Sequence, residues 1–74
     1  MKISHDPKVD VAYLELEKGE YEASQELKGG VIVDVAKDGK ILGFEIYGAT
    51  KKIPHFINEL KKGKTNSKEV SIAQ

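Results

Sequence analysis

The chain contains no cysteine, no arginine and no long apolar run. Without cysteine, disulfides and thiolate metal sites are excluded. All twelve cations are lysine, so the side chain best suited to bidentate phosphate and guanine contacts is missing, and specific nucleic-acid readout is disfavoured. Twelve carboxylates balance the twelve lysines, which removes bulk attraction to nucleic acid or anionic lipid. The lack of a signal-like stretch, an apolar span or a lipidation motif gives a cytoplasmic protein without membrane association as the expectation. At 74 residues the chain is one domain near the lower limit for a self-sufficient core, which at this size supplies about 3–5 kcal/mol. With disulfides excluded, self-association is the expected reinforcement, and a homodimer its simplest form.

What is present is organised around residues 29–47. Two runs rich in β-branched and aromatic residues flank Asp38-Gly39, a strong hairpin signal. A two-residue loop there sets Val35 opposite Leu42, Val33 opposite Phe44 and Val31 opposite Ile46, with all six on one face. A four-residue loop, Ala36 to Gly39, slides the pairs but keeps the parity, and a three-residue loop, Lys37 to Gly39, is not excluded by turn chemistry alone. The latter would place Asp34 beside Leu42 and Glu45 beside Val31, and burial argues against that slip. The sequence therefore predicts an even loop.

Upstream, Lys2 to His5 reads as a short strand entering a turn at Asp6-Pro7. Val9 to Leu16 alternates, with Ala12, Leu14 and Leu16 on one face and Val11, Tyr13 and Glu15 on the other. Tyr21 to Leu27 is weakly patterned, and its glutamates suit an edge strand. After Tyr47 the period changes. Ile53, Phe56, Ile57 and Leu60 form one helical stripe, with Pro54 as first helical residue, a separate turn over Thr50 to Ile53, and Gly63 as the stop. Val70 and Ile72 alternate, so a short terminal strand is an option for the polar tail, residues 64–74. The expected fold is α+β: an antiparallel β-meander of four to five strands over residues 1–63, with one C-terminal amphipathic helix packed on one sheet face.

The other face carries Tyr13, Ile32, Ile41 and Tyr47 among Asp34 and Glu45. A half-apolar face on so small a domain points to a partner surface, with a second copy of the chain as the simplest candidate. Ser4-His5-Asp6 has the letters of a catalytic triad, but neighbouring strand residues point to opposite faces, so no nucleophile–base pair forms. Asp10, Asp34 and Glu45 are the best candidates for a divalent metal, although a solvated acidic face explains them as well. His55 lies four positions before Glu59, the spacing of a helix-surface pair. The lysines flanking the helix lack the stacking aromatics of an RNA-binding surface.

Two blocks carry a family resemblance. Asp6-Pro7-Lys8-Val9-Asp10-Val11-Ala12-Tyr13-Leu14-Glu15-Leu16 is similar to the opening signature of the domain-of-unknown-function family 2283 of small prokaryotic proteins. Gly30 to Asp34 with Asp38 to Ile46 resembles its second signature. The resemblance covers most of residues 1–50, and His5 occupies a position where an aromatic is commoner. It implies a compact β-rich domain, supplies no activity and no catalytic residues to carry over, and, through members encoded beside toxin-like proteins, points to an antitoxin role; no cofactor is expected. The combined expectation is a non-enzymatic, self-associating protein-interaction module. The alternative is a small-ligand or metal-binding protein using Asp10, Asp34 and Glu45.

Overall fold

The computed structural model describes residues 1–70. Strands β1 (Lys2–Asp6), β2 (Val11–Glu15), β3 (Tyr21–Leu27), β4 (Val31–Ala36) and β5 (Ile41–Tyr47) precede helices α1 (Ala49–Lys52) and α2 (Pro54–Lys62), and β6 (Ser67–Glu69) follows. All neighbouring strands are antiparallel in the order β3-β4-β5-β2-β1-β6. The α+β class is as expected, but the sheet has six strands and is not a plain meander. The β3-β4-β5 meander folds back so that β5 lies against β2, which sets Ile46 opposite Ala12 and closes the core.

The hairpin at Asp38-Gly39 corrects the expected loop. Ala36 N–H donates to Lys40 O (2.8 Å), and Gly39, at φ +90°, donates to Ala36 O (2.9 Å). Lys37 to Gly39 is thus a three-residue loop, the form in which Gly takes the left-handed position. The slip this introduces is absorbed at once. Val35 pairs with Ile41 and Asp34 with Gly43, so Leu42 is an extra residue on β5. Beyond the bulge, Val33 faces Phe44 and Val31 faces Ile46, the expected partners. Turn chemistry decides the loop, and burial decides the register two residues later.

Leu42 loses its expected place opposite Val35, which Ile41 takes. Leu42 is buried at the end of the hairpin beside the β2–β3 connection, where a Cβ on Gly19 would stand 2.9 Å from Leu42 Cδ2 and 3.6 Å from the Ala36 Cβ. The helices also cover less of the sheet than expected. Ile57 and Leu60, both buried, pack with Ile3, Ala12, Ile46 and Ala49, joined by the half-buried Leu14, Val31, Ile53 and Phe56. Val33 lies outside this cluster. A nine-residue helix is about 13 Å long and 10 Å across, whereas six strands spaced about 4.8 Å apart span about 24 Å.

The helical segment breaks where expected. Ile53, at φ −132° and ψ 57°, separates α1 from Pro54, the first residue of α2, because the residue before proline is driven out of helical space. Gly63 ends α2 in a right-handed conformation, and Lys64 takes the left-handed one at φ 54°. Thr65 N–H then reaches Leu60 O (3.1 Å) and Lys64 N–H reaches Lys61 O (3.0 Å), which satisfies the last carbonyls. Strand β6, inside the segment set apart as a tail, pairs with β1, and Val70 packs on the core. Ile72 lies outside the described residues.

Candidate functional site

The sheet face turned away from the helices, the open face, gathers the titratable groups. Tyr13 stands directly opposite Glu45, and Asp34 lies between Ser24 on β3 and Gly43 on β5. Gly43 makes this arrangement possible. A Cβ there would fall 2.8 Å from the Tyr13 hydroxyl and 2.3 Å from the Leu14 carbonyl, so only a bare backbone lets the Tyr13 ring lie across β5. Asp34 is only 8% exposed, and Ser24 Oγ donates to its Oδ1 at 2.7 Å. The Ser24 hydroxyl is also 2.7 Å from the Tyr21 hydroxyl. Burial and then the Asp34 carboxylate push both the Glu45 carboxyl and the Tyr13 phenol above their ordinary values.

Asp10 is occupied elsewhere. It sits left-handed (φ 54°) in the β1–β2 turn. Its Oδ1 accepts from His5 Nε2 at 2.8 Å and from the Thr50 N–H at 3.1 Å, and its Oδ2 accepts from the Thr50 hydroxyl at 2.7 Å. Its backbone carbonyl accepts from the N–H groups of Gly48 (2.9 Å) and Ala49 (3.1 Å). Gly48, at the start of α1, has no side chain to cap the helix, and Asp10 does so from across the fold. The Thr50 and His5 hydrogen bonds hold its carboxyl below the ordinary range.

The structure therefore brings Asp34 and Glu45 together on the open face and places Asp10 on the helix side with His5. Among the described residues no three His, Cys, Asp or Glu side chains are grouped to hold a metal. Two carboxylates, one already bonded to Ser24, are fewer oxygens than a hard cation collects. Ser4 faces Tyr13 while His5 faces Ala12, so the two lie on opposite sides of the sheet. Glu59 pairs with Lys62 at 3.8 Å, and His55 instead meets the Phe56 ring edge-on at 5.8 Å.

Of the four proposed interface residues, Tyr13 and Ile32 are half-buried on the open face, and Tyr47 is 45% exposed beside them. Ile41, equally exposed, is opposite Val35 and so belongs to the other side, moved there by the bulge at Leu42. A shallow cleft of about 500 Å³ lies among Ser4, Val11, Tyr13, Glu45 and Tyr47. Sequence reasoning missed Ser24 and Gly43 as parts of this face. The glycine inside a strand pattern was the available signal for a close approach; nothing local marked the serine.

The longest free edge belongs to β3. All seven of its residues are exposed, and among the described residues only β4 pairs with it. The register slips between Tyr21 and Ala23, leaving Glu22 as a bulged residue.

A family model described as "Protein of unknown function (DUF2283)" matches residues 2–49, the span from β1 to the first residue of α1. No curated protein and no solved structure matches the chain.

Proposed function

The chain belongs to the DUF2283 family, and for this member we propose a non-enzymatic protein-interaction module that self-associates as a homodimer. The observation that carries this reading is β3: seven exposed residues in one strand, with no second strand among the described residues on its outer side to take up its backbone donors and acceptors. A domain this small gains the stability its core lacks by joining that edge to another.

Edge pairing leaves the open face of Tyr13, Ile32, Glu45 and Tyr47 uncovered. It is the surface this reading assigns to a second protein, and a toxin-like partner is the class that the family resemblance brings to it. No helix among the described residues is long and apolar enough to cross a membrane, and cytoplasmic action is part of the proposal.

Sedimentation equilibrium over a dilution series tests the self-association. A mass of twice the chain, falling to one chain on dilution, is the expected result; one chain at every concentration overturns it. Affinity purification from the native host tests the partner, and recovery of the chain alone overturns that part.

A further inference from the structure

We propose that the partner of the β3 edge is a second copy of this chain, paired antiparallel about a twofold axis at Gln25; this rests on the self-association proposed above. When the axis runs perpendicular to the sheet, one residue faces its own copy, and every pair across the seam points to the same side. The register is therefore named by the residue on the axis. Within Tyr21–Leu27, only axes at Ala23, Ser24 or Gln25 pair five or more residues of the strand.

Charge separates the three. With the axis at Ser24, the bulged Glu22 falls within the seam and beside Glu26 of the second copy, twice by symmetry, and interrupts the ladder there. With the axis at Ala23, Glu20 faces Glu26, again twice. Carboxylates directly opposite one another destabilise a ladder. With the axis at Gln25, no two acids meet. Glu26 faces Ser24, the regular run Ala23–Leu27 pairs throughout, and Glu22 at the bulge and Lys28 in the turn after β3 come near one another at each end of the seam.

The apolar rows agree with this choice. Within one chain Ala23 is opposite Val35 and Leu27 is opposite Val31. An axis at Gln25 puts Ala23 against Leu27 of the other copy. The row Val35–Ala23 then runs on into Leu27–Val31, on the same side as the helices, and Leu27, 40% exposed in one chain, gains a neighbour.

The absence of cysteine gives a clean test. Directly opposed residues in an antiparallel pair have Cα atoms about 4.5–5.5 Å apart, within disulfide reach. Single variants Ala23→Cys, Ser24→Cys and Gln25→Cys are exposed to mild oxidation, and their near-ultraviolet and amide spectra are compared with the wild type to confirm the fold. The expected result is fastest covalent dimerisation for Gln25→Cys. Alongside, Glu22→Lys and Lys28→Glu each weaken association about tenfold, and the two combined restore it.

Faster linkage at Ala23→Cys or Ser24→Cys overturns the register. If none of the three links while the wild type sediments as a dimer, the edge is not the interface: this inference falls and self-association stands. A wild type that is monomeric throughout removes the proposed function itself.

Discussion

Thr50 donates both its backbone N–H and its hydroxyl to the carboxylate of Asp10, forty positions earlier in the chain. That contact, with His5 as third donor, fastens the start of the helical segment to the β1–β2 turn. Asp10→Ala removes the cap and leaves a non-glycine residue in the left-handed region, whereas Asp10→Asn keeps an acceptor and tolerates that conformation. The urea midpoint is expected to fall for both, and further for alanine. The Asp10 carboxyl is held below its ordinary value of 3.8. Its contribution is therefore present above that value and is lost as the pH falls through the lower, folded one. Urea midpoints of wild type and Asp10→Asn converge in that acidic window.

Glu45 has the opposite sign. Burial and the Asp34 charge raise its carboxyl above the ordinary 4.5, so the folded state takes up its proton before the unfolded state does. Stability from this group increases as the pH falls from above the folded value towards 4.5. Glu45→Gln is expected to be more stable than the wild type at neutral pH and to lack that increase. Thermal melts across the range check it; a variant no more stable at neutral pH contradicts it.

Gly43→Ala sets a Cβ 2.3 Å from the Leu14 carbonyl and into the Tyr13 ring. Backbone on both sides of the contact cannot yield as a flexible side chain would. A loss of about 2 kcal/mol or more is expected, measured by chemical denaturation, and Tyr13→Ala in the same chain recovers only the part due to the ring.

Lys64 holds a left-handed conformation at the end of α2. A side chain there costs about 1–2 kcal/mol, and glycine returns part of the gain through the entropy of the unfolded chain. Lys64→Gly is expected to stabilise by about 0.5–1 kcal/mol. An unchanged melting temperature would show that the turn carries no such strain.

Alternation and turn residues made β1, β2, β4, β5 and the stripe of Ile53, Phe56, Ile57 and Leu60 legible in the chain. Pro54 marked the helix break because its ring restricts the residue before it. The bulge at Leu42 was not legible, since it arises where two local rules conflict: Gly39 favours a three-residue loop and the valines require the original phase. Sheet order was hidden for a similar reason. Which strand receives β5 depends on Ile46 meeting Ala12, a contact between residues far apart in the chain. On the open face, Tyr13 and Glu45 could be placed by parity alone. Asp10 could not, because its role depends on Thr50, forty positions along the chain, being brought beside it by the pairing of β5 with β2.

Amide hydrogen exchange of residues 21–27 at rising protein concentration tests the central claim most directly. In a single chain the outward-pointing β3 amides face water, and in an edge-paired dimer they are bonded to the second copy. Protection of those amides that grows with concentration, while the amides of β4 stay constant, is the predicted result. Fast exchange along β3 at every concentration would contradict it.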